Sequence, residues 1–142
     1  MPLTVQLLAS ALLAVMAIMI HGTGVVLISQ WFTYEETKLK RQRLATRELT
    51  LMVPMALCLF VLHVIEITVF ALFYLLGGDS NSFERALHVS AMAYSTLGIV
   101  EGAIRDWPIV IALEGLVGFL LIGWSAAVFV NDMDVVLRRR RD

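Results

Sequence analysis

The sequence predicts an all-α integral membrane protein, with three transmembrane helices and one shorter helix that enters the bilayer without crossing it. Composition is the first reason: 59% of the 142 residues are hydrophobic and 16% are charged, whereas soluble domains average about 25% charged residues. The second reason is that three apolar segments, at about 5–29, 51–76 and 108–130, reach the roughly 20 residues that a spanning helix needs.

The first apolar segment belongs to a predicted N-terminal transmembrane helix at 1–30. It has no basic residue ahead of the apolar run and is longer than the hydrophobic region of a signal peptide, so we expect it to be retained. The linker at 31–50 is basic and rich in helix formers. Two interpretations of the linker stay open, a topological anchor on the lipid phosphates or a lipid-sensing segment.

Basic residues determine the predicted orientation. Of the eleven Lys and Arg residues, five lie in the linker 31–50 and four in the basic tail 132–142. The positive-inside rule places both segments in the cytoplasm. The N-terminus and the loop 77–107 then lie outside, the C-terminus lies in the cytoplasm, and anionic lipids of the cytoplasmic face are expected partners.

The second apolar segment, 51–76, is predicted to begin near Pro54, because a helix tolerates proline in its first turn. It ends at Gly77-Gly78, since glycine adopts the positive φ that ends many helices. The third segment lies within a predicted helix at 107–131.

A short amphipathic helix is predicted at 82–95, "SFERALHVSAMAYS". Asn81 or Ser82 can cap its N-terminus, and Glu84 lies in its first turn. About 14 residues give roughly 20 Å of helix, which reaches only partway across the hydrocarbon. Such a helix between two full spans is typical of a re-entrant element, and irregular backbone beside it is tolerated only where protein or water surrounds it. One three-span chain cannot enclose a water-filled cavity, so the topology favours a ring of subunits.

The segment after this helix, "AYSTLGIVEG" at 93–102, resembles the filter region of the pore-loop potassium-channel superfamily. The resemblance covers 51–131 as a pore module, and it is closest to small bacterial ion-channel proteins with an extra N-terminal span. It implies an outer helix (51–76), a pore helix (82–95), a filter (96–101) and an inner helix (107–131). It also implies a homotetramer in the bacterial inner membrane, with monovalent cations (K⁺ and Na⁺) as permeant ions.

The filter of that superfamily has the form Thr-Val/Leu-Gly-Tyr-Gly-Asp, and its backbone carbonyls replace the hydration shell of the ion. In this chain Thr96, Leu97 and Gly98 match the first three positions. Ile99 stands where Tyr is expected, and Val100 stands at the second Gly. A β-branched residue at positive φ is strained, so we expect the outer ion sites to be altered or lost.

Two functions follow from this mixed filter. In the first, the remaining inner sites conduct cations with weakened or altered K⁺ selectivity, and Glu101 forms an acidic ring at the pore mouth. In the second, Ile99 and Val100 form an apolar plug, and the protein is a non-conducting pore-loop homologue that serves as a structural or regulatory membrane subunit. An ion-coupled transporter is a third class, but it requires inverted repeats that the sequence does not contain.

Several ionisable residues fall within the apolar segments, where a charge is costly. The resemblance suggests that Glu114 or Glu66 supports the filter from behind, with His88 or a backbone donor as partner. The alternative is a buried polar cluster that only holds the helices together. His63 and Glu66 share one helix face, but two ligands from one helix are too few for a metal site. His21 is interpreted as a packed interfacial histidine.

Gly118 and Gly123 in the last apolar segment allow either close helix packing or a gating hinge. The sequence contains no nucleophile–base pair, no phosphate-binding loop and no set of metal ligands with a usable spacing. We therefore expect no enzymatic activity, no catalytic residue, no cofactor and no nucleic-acid partner. The expected partners are further copies of the chain and membrane lipids.

Overall fold

A computed structural model describes residues 1–38, 44–78, 80–98 and 106–138 of the chain. These residues form four helices and, within the described ranges, no β-strand: α1 (Leu3–Lys38), α2 (Leu44–Leu76), α3 (Phe83–Tyr94) and α4 (Pro108–Arg138). Three of the helices contain segments long and apolar enough to cross a membrane, Leu3–Glu35, Leu49–Leu76 and Pro108–Asp134. The prediction of an all-α chain with three membrane-length helices is confirmed at this level.

Helix α2 begins earlier than the sequence predicted. It starts at Leu44, so Pro54 lies in its interior and not in its first turn. The prediction of a start near Pro54 was therefore wrong. The residues from 44 to 53 are mostly good helix formers with no break among them, and a single missing N–H does not end a helix that is otherwise continuous.

The two ends of the α2–α3 connection follow the sequence signals. After Leu76 the Gly77 N–H donates to the Phe73 carbonyl at 2.8 Å, and Gly78 has a φ of +76°. Ser82 is the N-cap of α3, where its hydroxyl accepts from the Arg85 N–H at 3.2 Å. The predicted glycine termination and the predicted serine cap are confirmed.

Helix α1 packs against both α2 and α4, and α3 packs against α2 and α4. The larger core surrounds the buried face of α3, where Phe70, Tyr74 and Tyr94 are almost fully buried. A second core joins α1 to α2 around Phe32 and Met55. The membrane-length helices otherwise expose most of their apolar surface, since at most a third of each most apolar window is buried within the protein.

Two glycines let α4 approach the C-terminal end of α3. A Cβ atom added at Gly118 would lie 2.1 Å from the Tyr94 carbonyl oxygen, and one added at Gly115 would lie 3.1 Å from that of Ala93. A Cβ at Gly123 would have no heavy atom within 4 Å. Of the two interpretations of Gly118, close packing is therefore the one that its contacts support, and the hinge stays a prediction.

Candidate functional site

Helix α3 has two buried polar side chains on the face that contacts α2 and α4. Ser90 and Tyr94 are one turn apart, and their exposed fractions are 0% and 1%. Each of them binds a buried carboxyl group from a different long helix. Ser90 pairs with Glu114 of α4, and Tyr94 pairs with Glu66 of α2.

The Glu114 cluster consists of Glu114, Ser90 and Tyr74. The Tyr74 hydroxyl donates to Glu114 Oε2 at 2.6 Å, and Ser90 Oγ lies 2.5 Å from Glu114 Oε1. Ser90 Oγ also lies 2.8 Å from the Ile67 carbonyl oxygen. A serine hydroxyl has one proton, so Ser90 makes two full hydrogen bonds here when Glu114 donates a proton to Ser90 and Ser90 donates to Ile67. With an ionised Glu114, Ser90 has to divide its one proton between the two oxygens. The geometry thus fits a neutral Glu114, which is also the form that burial in an apolar environment favours.

The Glu66 cluster consists of Glu66, His21, His63 and Tyr94, and it joins three helices. His21 Nδ1 lies 2.8 Å from Glu66 Oε1, while His63 Nδ1 lies 3.2 Å from Glu66 Oε2. The Tyr94 hydroxyl donates to Glu66 Oε2 and lies 2.9 Å from His63 Nδ1. Ser125 adds a contact from α4, because its Oγ lies 3.4 Å from His21 Nε2. Three helices therefore meet at the Glu66 carboxyl group, and α4 joins the cluster through His21.

The charges of the Glu66 cluster differ from those of the Glu114 cluster. Glu66 and His21 are fully buried, and the His63 side chain is 16% exposed. One consistent arrangement has both imidazoles and the tyrosine donating, with the carboxylate accepting. With neutral imidazoles that arrangement leaves one negative charge in a buried site, which is costly. A proton on one imidazole or a bound cation would compensate it.

The backbone after α3 ends the helix with an unusual residue. The Thr96 N–H donates to the Ala93 carbonyl at 2.9 Å, and the Leu97 N–H donates to the Met92 carbonyl at 3.1 Å. This is the bond pattern of a Schellman motif, in which the left-handed position is usually glycine. Here Thr96 occupies that position with a φ of +58°. A β-branched residue at positive φ stores conformational strain, which often marks a functional segment.

The described loop continues to Gly98, whose φ is +119°. Thr96, Leu97 and Gly98 are exposed, and 74% of the Leu97 surface is accessible. The other predicted filter residues, Ile99 and Val100, and the predicted mouth residue Glu101 lie outside the described residues.

No protein-family model matches the chain, and no curated protein or solved structure matches it significantly. The function is therefore argued from the geometry of this chain alone.

The structure places the predicted support residues in two different environments. Glu66 and Glu114 are buried behind α3, each bonded to a side chain of that helix. His88 is exposed on another face of α3. The partners of Glu114 are thus Ser90 and Tyr74 rather than His88, because the turn of the α3 helix places His88 away from α4.

Sequence reasoning missed Ser90, Tyr94 and Tyr74 as partners, and it missed the bond between His21 and Glu66. His21 is fully buried and hydrogen-bonded within the protein, so it is packed as expected, and its position at the membrane interface stays a prediction. One signal was available for α3: Ser90 and Tyr94 have the spacing i, i+4, which places both on its apolar face. No comparable signal links His21 to Glu66, because the two residues are 45 positions apart.

The Glu66 cluster also groups the side chains that could hold a metal ion. Among the described residues, His21, His63 and Glu66 offer one ligand atom each, and these atoms all lie within 4.8 Å of one another. The sequence had offered only the two ligands on α2, and the packing of α1 supplies the third.

Proposed function

We propose that the protein is a homotetrameric, potassium-channel-like cation channel whose filter selects K⁺ weakly. In this proposal α3 is the re-entrant pore helix, 96–101 is the filter, and α2 and α4 are the outer and inner helices. The supporting observation is that two carboxyl groups, from Glu66 and Glu114, hold the C-terminal half of α3 directly ahead of Thr96. Such bonds fix the position of the helix end, which is what a loop that must keep one geometry requires.

The length of α3 agrees with this role. Its 12 residues correspond to about 18 Å of helix, which enters a bilayer but does not cross it. The carbonyl end of a helix dipole is negative and favours a cation nearby. Non-helical backbone at membrane depth is tolerated where it lines an aqueous cavity, and four chains around an axis would enclose one.

The outward surface of α3 supports an assembly of several chains. Glu84, Arg85 and His88 are exposed, while the opposite face of the same helix is buried against α2 and α4. Lipid is a poor environment for such side chains. In a tetramer this face contacts water or a neighbouring subunit.

The ion sites in this proposal are the Thr96 hydroxyl and the carbonyls of Thr96, Leu97 and Gly98. Ile99 and Val100 replace the residues that complete the outer sites in the superfamily that the sequence resembles. A shorter series of sites discriminates less between K⁺ and Na⁺. Glu101 raises the local cation concentration at the mouth.

Flux through reconstituted liposomes tests the proposal. We expect K⁺ and Na⁺ to pass at comparable rates and a large organic cation to be excluded. Thr96→Ala should reduce K⁺ flux, whereas the matched control Thr68→Ala should not, because Thr68 lies on α2 and its hydroxyl bonds the Val64 carbonyl of its own helix. Flux no greater than that of empty vesicles would refute conduction, and strong K⁺ preference would refute the filter argument.

A non-conducting subunit is the second candidate, and the exposure of Leu97 is the observation that favours it. An apolar run of Leu97, Ile99 and Val100 at a constriction excludes ions by dewetting. Tetrameric protein without flux, together with conduction in a Leu97→Ser variant, would identify this case.

A further inference from the structure

We propose that His21, His63, Glu66 and Tyr94 bind a divalent transition-metal ion, of which Zn²⁺ is the representative. The three residues His21, His63 and Glu66 place their ligand atoms within 4.8 Å of one another. The Tyr94 hydroxyl contacts both Glu66 and His63, so its oxygen is a fourth donor at the same point. Two imidazole nitrogens, a carboxylate and a phenol oxygen form a donor set that suits zinc and its neighbours in the first transition row.

Three of the separations between the donors are close to those of a tetrahedral site. Zinc bonds to nitrogen and oxygen of about 2.0–2.1 Å place neighbouring ligand atoms about 3.3 Å apart. His21 Nδ1 lies 2.8 Å from Glu66 Oε1. His63 Nδ1 lies 3.2 Å from Glu66 Oε2 and 2.9 Å from the Tyr94 hydroxyl oxygen. These three separations would have to increase by about 0.1–0.5 Å to reach tetrahedral spacing.

The charge of the site favours a cation. The Glu66 carboxylate is fully buried, and neutral imidazoles do not compensate its negative charge. A divalent ion does so directly, and Tyr94 becomes the fourth ligand when its proton leaves to solvent. The two imidazoles then carry their remaining proton on Nε2 while Nδ1 binds the ion.

The surroundings of His21 match those of a metal-bound histidine. The second ring nitrogen of such a residue usually donates to an oxygen that orients the ring. His21 Nε2 has Ser125 Oγ at 3.4 Å, and the Trp124 ring packs beside the imidazole with centroids 5.2 Å apart. The ligands come from α1, α2 and α3, and the orienting serine comes from α4, so the whole fold positions the site.

This inference does not rest on conduction, because a non-conducting protein would bind the ion equally well. The competing explanation of the same geometry is a proton on His21, which would donate to both Glu66 and Ser125. Protonated His21 compensates the carboxylate charge without a metal. The two explanations therefore predict different results when a metal ion is titrated into the protein.

The test is a Co²⁺ titration of the full chain, purified in detergent and first treated with a chelator. We expect saturation at one ion per chain, with the intense visible absorption of four-coordinate cobalt, and displacement by Zn²⁺. His21→Gln and His63→Gln should each weaken binding by at least about 10-fold. The matched control is His88→Gln, since His88 is an exposed histidine outside the cluster and should bind as the wild type does.

A second measurement uses only the wild-type protein, so its result does not depend on whether the variants fold. With ¹⁵N-labelled histidine, Zn²⁺ should shift the ring signals of two of the three imidazoles and leave the third, that of His88, unchanged. Absence of saturable binding by the wild type would overturn the proposal in favour of the protonated histidine. Binding that survives the His21→Gln, His63→Gln double variant would also overturn it.

Discussion

Gly118→Ala is expected to disrupt the contact between α4 and the end of α3. The added Cβ would lie 2.1 Å from the Tyr94 carbonyl oxygen, where ordinary van der Waals contact begins at 3.4 Å. The obstacle is backbone, which cannot rotate away as a side chain can, so the two helices must separate by more than 1 Å. Overpacking of a dense interior costs about 1–3 kcal/mol, and we expect the free energy of unfolding to fall by that amount.

The matched control is Gly123→Ala, five residues further along the same helix. A Cβ there meets no heavy atom within 4 Å, and alanine is a better helix former than glycine by about 0.5–1 kcal/mol. The control should therefore be unchanged or slightly more stable. Gly115→Ala should fall between the two, because its Cβ would lie 3.1 Å from the Ala93 carbonyl oxygen.

The assay is unfolding of the detergent-solubilised protein, followed by circular dichroism, together with ion flux in liposomes. Since Gly118 contacts Tyr94, and Thr96 follows two residues later, Gly118→Ala should reduce flux as well as stability. Equal stability of the Gly118→Ala and Gly123→Ala variants would refute the close approach of α4 to α3. Reduced flux at unchanged stability would instead support a hinge at Gly118.

Three further predictions concern the Glu114 cluster and the segment that follows α3. Glu114→Gln keeps a donor for Ser90 and an acceptor for Tyr74, so its unfolding free energy should remain within about 1 kcal/mol of the wild type. Glu114→Leu keeps neither and should lose about 1–3 kcal/mol. Equal losses for the two variants in chemical unfolding would contradict a neutral Glu114. Thr96→Gly should raise thermal stability by about 1 kcal/mol, because it removes a left-handed β-branched residue, while K⁺ flux falls; lower stability would argue against the positive φ. Combined Ile99→Tyr and Val100→Gly should raise the K⁺ to Na⁺ permeability ratio in liposomes, and an unchanged ratio would show that this segment is not the filter.

Features of the fold that depend on residues adjacent in the sequence could be predicted. The three apolar helices, the end of α2 at Gly77-Gly78 and the Ser82 cap depend on local composition or on turn chemistry. The early start of α2 was missed because Pro54 was weighted as a boundary, although the residues before it favour helix. Local signals therefore identify the elements better than they identify where each one begins.

The candidate site could be predicted only in part. The cost of a carboxyl group in an apolar segment indicated that Glu66 and Glu114 have partners, and the structure supplies them. The identity of those partners depends on how the helices pack. The pairing of His21 with Glu66 requires the contact of α1 with α2, which no periodicity within one helix can specify.

The position of His21 on the first helix has a consequence for the order of assembly during synthesis. The helix α1 reaches the membrane before its partners exist, so the His21 ring enters without the carboxylate that it binds in the finished protein. That carboxylate arrives 45 residues later, on α2, and Ser125 follows only with the last helix. We therefore expect a hairpin of α1 and α2, joined by the histidine–carboxylate bond, to be the first unit that holds together in the bilayer.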